Sequence, residues 1–184
     1  MLETIFKQAL KWEQEVGLTN DPADKGGVTN DGITWEHYFA LCKRILNVVP
    51  TLAHFKTLTE VEVHAFYAYS FAEINCDKIT NTVVAAVCFD FALNSLYGKR
   101  EIQRLLKGLG YTLNADNEFG PVSISAINRA TETMGAAAFV NAIMDRRVAY
   151  VQQIVKRDST QKKFLAGWLN RIADWRNWAH LNIS

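Results

Sequence analysis

The sequence predicts a mainly α-helical protein with one small β-hairpin near its N-terminus. Apolar residues recur at the three- and four-residue spacing of amphipathic helices along most of the 184 residues. A segment rich in Asn, Asp, Gly and Pro covers residues 18–33, where turns are expected. The hydrophobic content of 49% and charged content of 21% are typical of a folded chain with a sizeable core.

The first predicted element is a helix over residues 2–16, which Gly17 ends. Its apolar face is formed by five side chains at helical spacing: Leu2, Ile5, Phe6, Ala9 and Leu10. The turn-rich segment follows, and within it Val28-Thr29 and Ile33-Thr34 flank an Asn-Asp-Gly sequence. This sequence favours a tight turn between two short strands, so the hairpin is placed here.

Helices are predicted for most of the remaining chain. Thr34 is the expected N-cap of a helix over about residues 35–47. A capping-box pattern at Thr59–Glu62 opens a helix that continues to about residue 74. The later helices are predicted over residues 81–96, 98–107, from Pro121 onward, 135–157 and 160–179.

Composition narrows the function classes. The chain has 20 basic and 19 acidic side chains, and its net charge of +1 argues against nucleic-acid binding. No apolar run approaches the roughly 20 residues of a membrane span. Cys42, Cys76 and Cys88 lack metal-ligand spacing and are interpreted as buried, reduced thiols. The chain has no His/Cys cluster of ligand spacing, and no metal or organic cofactor is expected. The first residues lack signal-peptide features, which predicts synthesis in the cytoplasm.

Two glutamates at the end of the first helix are candidates for acid catalysis, because glycoside hydrolysis needs a carboxylic acid and a second carboxylate. Glu13 follows Ala9 by four residues and Phe6 by seven, so it continues the apolar face. Glu15 follows Lys11 by four and continues the polar face. A structural Glu13, hydrogen-bonded to the loop, and a solvated Glu15, paired with Lys11, are the alternatives; helical phase favours Glu13 as the acid.

The loop supplies candidate partners for that acid. Asp24 is the preferred second carboxylate, and Asp21 and Asp31 are further acids nearby. Both Asp21 and Asp24 are equally compatible with turns in which the side chain bonds its own backbone. The hydroxyls of Thr29 and Thr34 either position a water or a sugar near these acids or pair across the hairpin.

The run from Asn20 to Thr34, Asn-Asp-Pro-Ala-Asp-Lys-Gly-Gly-Val-Thr-Asn-Asp-Gly-Ile-Thr, resembles glycoside hydrolase family 108. This is a lysozyme-like family of N-acetylmuramidases that includes phage-type endolysins and secretion activator proteins. The resemblance implies an α+β, lysozyme-like fold and cleavage of the β-1,4 bond between N-acetylmuramic acid and N-acetylglucosamine. A helix-end glutamate would be the general acid, and Asp24 would position water or stabilise positive charge on the sugar.

The sequence departs from the family pattern just before that run. The family's catalytic glutamate opens a Glu-Gly-Gly-Tyr box, whereas this chain has Glu-Gln-Glu-Val-Gly-Leu over residues 13–18. Alignment without a gap from Asn20 assigns the acid to Glu15, and alignment by the helix assigns it to Glu13. Two extra residues are tolerated more easily in a turn than in a helix, where they would rotate the acid by roughly 200°. Asp31 also replaces the usual aromatic after Asn30.

The resemblance extends downstream. Four segments look like the peptidoglycan-binding-type region of the family and its closing helix: residues 90–94, 103–106, 118–126 and 164–171. We therefore predict a lysozyme-like catalytic region over residues 1–85 and a peptidoglycan-binding-type helical region over residues 86–184, packed as one compact unit. The predicted substrate-binding residues are Asp21, Thr29, Asn30, Thr34 and Asn94.

The implied partner is bacterial peptidoglycan in the cell wall or periplasm, reached with the help of a holin or a secretion system. Two other functions stay open at this stage. One is a lytic transglycosylase, which also depends on a glutamate but leaves an anhydro-sugar. The other is a non-catalytic peptidoglycan-binding or secretion-accessory protein, which the altered glutamate box allows.

Overall fold

The computed structural model describes residues 2–14, 18 and 28–183. Within them the chain is mainly α-helical with one two-stranded antiparallel sheet near the N-terminus, which confirms the predicted fold class. The chain groups into two units, an N-terminal unit of residues 1–72 and a C-terminal unit of residues 73–184. No helix in the described part is long and apolar enough to cross a membrane.

The N-terminal unit contains four helices and the hairpin in its described residues. They are α1 (Leu2–Gln14), β1 (Thr29–Asn30), β2 (Ile33–Thr34), α2 (Trp35–Leu46), α3 (Leu52–Phe55) and α4 (Glu60–Glu73), whose last residue opens the C-terminal unit.

Helix α1 packs on α4 through its apolar face. Four of the five predicted face residues are buried, Ile5, Phe6, Ala9 and Leu10, but Leu2 is 46% exposed because the helix begins outside the core. The ring of Phe6 lies 5.9 Å from that of Tyr67 and 6.2 Å from that of Phe71. These contacts hold α1 beside α4.

Side-chain caps begin the later helices of this unit as predicted. Thr34 Oγ1 accepts a hydrogen bond from His37 N at 3.1 Å and caps α2. The capping box of α4 is reciprocal: Thr59 N donates to Glu62 Oε2 at 2.9 Å, and Glu62 N donates to Thr59 Oγ1 at 3.3 Å. The four-residue helix α3 was not predicted, since one turn is too short to show a periodic pattern.

An aromatic cluster forms the core between α2, α3 and α4. Tyr38 is buried, with ring centroids 5.0 Å from Phe55 and 5.8 Å from Phe66. Its hydroxyl lies 2.7 Å from His54 Nδ1, and His54 Nε2 lies 2.8 Å from Glu62 Oε1. Burial raises the pKa of Tyr38 to about 12. This chain of polar contacts ties the three helices together.

The C-terminal unit is built around α5, whose residues 83–91 are all buried. Its helices are α5 (Thr82–Leu93), α6 (Gly98–Gly108), α7 (Pro121–Met134), α8 (Ala136–Arg157) and α9 (Leu165–Asn182), with 3₁₀ turns at Cys76–Lys78 and Ser159–Phe164. The helix predicted over 160–179 therefore begins as a 3₁₀ turn. Pro121 opens α7 as predicted.

Close approach of α5 and α6 requires a glycine at the start of α6. A Cβ on Gly98 would lie 2.0 Å from the carbonyl oxygen of Phe91. All three cysteines are buried and free, as predicted, and burial raises the pKa of the Cys76 and Cys88 thiols. No group of three potential metal-ligating side chains occurs in the described residues.

Buried carboxylates in the C-terminal unit are paired with arginines. Asp90 accepts hydrogen bonds from Arg147 at 2.5 Å and Arg171 at 2.7 Å. Burial opposes the charge on Asp90, but the two guanidiniums together hold the pKa of its carboxyl below the usual range. Glu101 is likewise buried and paired with Arg104 and Arg146. These pairs tie α5 and α6 to the last two helices.

Candidate active site

The turn of the hairpin exposes main-chain atoms at Gly32, which has no side chain of its own. Thr29 pairs with Thr34 and Asn30 with Ile33, so the turn residues are Asp31 and Gly32, with φ of 47° and 77°. Positive φ at both central positions is the conformation of a type I′ turn, which Asn, Asp and Gly adopt most easily. The Asn-Asp-Gly sequence therefore determines the shape of the turn.

Glu13 lies directly against this turn. A Cβ placed on Gly32 would be 2.8 Å from Glu13 Cγ and 2.8 Å from Tyr67 Oη. Both side chains therefore occupy space that only a glycine leaves open. Tyr67 Oη also donates a hydrogen bond to the Asp31 carbonyl at 3.2 Å. The end of α1, the hairpin turn and α4 thus meet around a half-buried glutamate.

The two faces of the hairpin have different environments. Asn30 and Ile33 oppose each other and are buried, and Asn30 Nδ2 donates to the Phe55 carbonyl at 2.7 Å. Thr29 and Thr34 also oppose each other, so their side chains share the other face, where both are half-buried. The amide of Asn30 anchors the hairpin to α3, whereas the threonine face is only partly exposed.

Asp31 is a further acid at this turn. Its side chain is half-buried, and burial raises the pKa of its carboxyl. Its carbonyl is tied to Tyr67, which places the residue beside the Glu13 contact. The position where the family resemblance leads one to expect an aromatic thus carries an acid next to the candidate catalytic glutamate.

The structure assembles part of the predicted site. Glu13, Thr29, Asn30 and Thr34 belong to α1 and the hairpin, while Glu15, Asp21 and Asp24 lie outside the described residues. Asn94 belongs to the C-terminal unit, where its amide donates to the carbonyl and the carboxylate of Asp90, at 3.1 and 2.9 Å. That amide stabilises the buried ion pair.

Tyr67 is the site residue that the sequence analysis did not identify. It lies on α4 among the buried side chains Val63, Phe66 and Phe71, where an aromatic is normally a core residue. Its ring is indeed buried, and only its hydroxyl reaches the turn. A tyrosine rather than a phenylalanine at a buried position was the available signal, because a buried hydroxyl needs a partner.

Comparisons with known proteins agree with this arrangement. Residues 6–95 match the family model described as Glycosyl hydrolase 108. This segment belongs to glycosyl hydrolase family 108. Residues 97–173 match a second model, described as Predicted Peptidoglycan domain. A glycoside hydrolase followed by a peptidoglycan domain identifies this protein as a peptidoglycan hydrolase, with peptidoglycan as its substrate.

The fold of this protein is shared with a solved structure. The structure of SagA from Brucella abortus superposes with a TM-score of 0.67 at 23% identity, covering 97% of this chain and 95% of that chain. No curated protein matches the sequence. The predicted boundary between catalytic and peptidoglycan-binding regions after residue 85 stays a prediction.

Proposed function

We propose that this protein is an N-acetylmuramidase that hydrolyses the β-1,4 bond between N-acetylmuramic acid and N-acetylglucosamine, with Glu13 as general acid. One observation carries the assignment to Glu13. Its side chain packs against the bare turn at Gly32, next to the Tyr67 hydroxyl. A general acid must hold one orientation while its carboxyl reaches the substrate, and a half-buried glutamate against a rigid turn meets both needs.

The acid donates its proton to the oxygen of the leaving sugar as the glycosidic bond breaks, and positive charge develops on the other sugar. In this proposal Asp24 positions the attacking water or stabilises that charge. The half-buried threonine face of the hairpin contacts the glycan beside the acid through Thr29, whereas the Thr34 hydroxyl caps α2. Asp31 adds a carboxyl at the same turn, where its negative charge when ionised also favours a cationic transition state.

The decisive experiment compares Glu13→Gln with Glu15→Gln on purified cell walls. The amide cannot donate the catalytic proton, so Glu13→Gln should slow turbidity clearing by about a hundredfold or more. Glu15→Gln should stay within about twofold of the parent protein, since in this proposal Glu15 takes part in no proton transfer. Glu73→Gln, at an exposed position at the end of α4, is the matched control.

The opposite result, with Glu15→Gln inactive and Glu13→Gln active, would assign the acid to Glu15. Product mass separates the mechanisms: a gain of one water per bond supports hydrolysis, and an anhydro-sugar product supports a lytic transglycosylase. Absence of clearing by the parent protein, with retained binding to walls, would make it a non-catalytic accessory protein. Delivery by a holin or a secretion system to the cell wall belongs to the same proposal.

A further inference from the structure

A concave surface lies beside the N-terminal half of α7 in the C-terminal unit. Two adjoining cavities, with volumes of about 740 and 590 Å³, separate α7 from the turn that ends α6. Both volumes fall in the usual range for ligand sites, about 300–1,000 Å³. We call this surface the α7 groove and define it by six residues that line it: Lys107, Leu109, Tyr111, Val122, Ser125 and Arg129.

One wall of the α7 groove is held by the end of α6. The backbone N–H of Tyr111 donates to the Leu106 carbonyl at 3.0 Å, and Gly110 has a φ of +93°. This left-handed glycine ends the helix and turns the chain back on itself. Tyr111 is thereby presented toward α7 by hydrogen-bonded backbone rather than by a free loop.

The other wall is held by the side chain of Gln103, which is fully buried. Its amide nitrogen donates to Asp116 Oδ1 and to the Glu118 carbonyl, both at 2.7 Å, and its oxygen accepts from Asn117 N at 2.9 Å. The same nitrogen lies 3.0 Å from Ser123 Oγ at the start of α7. The loop before α7 is therefore rigid, and the groove is preformed.

The charges that line the α7 groove favour an anionic ligand. Its two acids are already engaged: Asp116 accepts from Gln103 and from the Glu118 N–H, and Glu118 pairs with Lys99 at 3.3 Å. Its two cations, Lys107 and Arg129, are exposed and form no ion pair within residues 28–183. The groove thus offers two cations to a bound molecule.

The same groove also exposes apolar surface. Val122 is 60% exposed and Leu109 is 40% exposed, on opposite walls, with the half-buried Tyr111 between them. Exposed apolar side chains around a preformed cavity are typical of binding sites. A ligand that fits this lining carries negative charge together with small apolar groups.

We propose that the α7 groove binds the peptide stem of peptidoglycan, with Lys107 and Arg129 facing its carboxylates and Leu109, Tyr111 and Val122 facing its alanine side chains. The inference rests on the proposed function in taking cell-wall peptidoglycan as the substrate. The glycan strand itself is a poorer match. Its acetylated sugars are neutral where the lactyl carboxyl of N-acetylmuramic acid is amide-linked to the peptide, so they give the two cations no charged partner. The stem combines both properties, since it contains alanine and amino-dicarboxylic residues.

The test measures binding of the full chain to purified walls by co-sedimentation in the cold. Binding to intact walls is compared without a competitor and with one of two soluble competitors: stem peptide released from walls by an amidase, or chitin oligosaccharides, which are neutral chains of N-acetylglucosamine. The double variant Lys107→Gln/Arg129→Gln should bind intact walls about tenfold more weakly, because two charge-assisted contacts are lost. Lys156→Gln/Lys162→Gln removes two exposed cations outside the groove and should bind like the parent protein.

The soluble stem peptide should release the parent protein and the control variant from walls, whereas chitin oligosaccharides should leave their binding unchanged. Release by chitin oligosaccharides but not by the stem peptide would overturn the assignment to the peptide in favour of the glycan. Unchanged binding of the groove variant to intact walls would overturn it altogether. Circular dichroism checks that both double variants are folded, which is expected because all four side chains are exposed.

A second assay measures the release of reducing ends from peptide-free glycan strands, which depends on catalysis but not on the peptide. This assay distinguishes failure of the groove assignment from failure of the proposed function. If no reducing ends appear while the groove variant still loses binding to intact walls, the hydrolase assignment is wrong and the assignment of the groove as a binding site is supported. If release is normal and the groove variant binds like the parent protein, the groove assignment fails and the hydrolase stands.

Discussion

The carboxylates Glu13 and Asp90 show how differently the two units use a helical acid. Glu13 is half-buried at the end of α1, and its side chain packs against a hairpin turn. Asp90 is fully buried in the middle of α5 and accepts hydrogen bonds from two arginines. A carboxyl held between two guanidiniums stays ionised and cannot donate a proton. Glu13, by contrast, is partly exposed beside the hairpin turn. In the proposed function the Glu13 arrangement serves catalysis, whereas the Asp90 arrangement stabilises the fold.

The largest expected effect comes from breaking the buried pair. Asp90→Asn removes the buried carboxylate that pairs with Arg147 and Arg171 and should lower the free energy of unfolding by about 3–5 kcal/mol, as measured by urea denaturation. The matched control is Asp145→Asn, which breaks an exposed pair with Arg176 and should cost less than about 1 kcal/mol. Equal losses in both variants would refute the contrast between buried and exposed pairs.

A substitution at the turn should act on the other carboxylate. Gly32→Ala requires an L-residue at a φ of 77° and places a methyl group 2.8 Å from Glu13 Cγ and from Tyr67 Oη. The backbone strain should cost about 1–2 kcal/mol of stability. Displacement of the acid should lower wall clearing by about tenfold or more, because small misplacements of catalytic groups are costly. If the folded variant cleared walls at the rate of the parent protein, the result would contradict a catalytic role for Glu13.

The pH dependence of stability should report the charge on Asp90. The pKa of Asp90 is lowered in the folded state, so its ion pairs stabilise the fold fully above the unfolded carboxyl pKa of about 4 and lose this effect as the pH falls toward the folded value. The stability difference between the parent protein and Asp90→Asn should therefore be constant from pH 7 to about pH 5 and shrink below about pH 4. A difference that grew on acidification would have the wrong sign for an ionised Asp90.

The smallest effect is expected at the hydrogen bond between α4 and the turn. Tyr67→Phe keeps the buried ring but removes the hydroxyl that donates to the Asp31 carbonyl, which should cost about 1 kcal/mol of stability. Wall clearing should fall by only a few-fold, because Glu13 still packs against Gly32. A loss as large as that of Glu13→Gln would instead give the hydroxyl a direct part in catalysis.

Local signals predicted most of the fold correctly. Asn-Asp-Gly produced the turn, Thr34 capped α2, Thr59–Glu62 formed a capping box, and Pro121 opened α7. The features that were missed are short or depend on neighbours. Helix α3 has a single turn, and Leu2 belongs to an apolar pattern but has no core to enter at the start of α1.

The sequence by itself determined which residues could do the chemistry, because a glutamate at a helix end and a turn of defined type are local properties of the chain. Only the tertiary structure decided how the residues are used. It brought Tyr67 from α4 to the turn and directed the amides of Asn30 and Asn94 to structural contacts. It also made Gly32 the surface on which Glu13 rests. Such roles depend on segments that are distant in sequence, and neither periodicity nor turn chemistry contains that information.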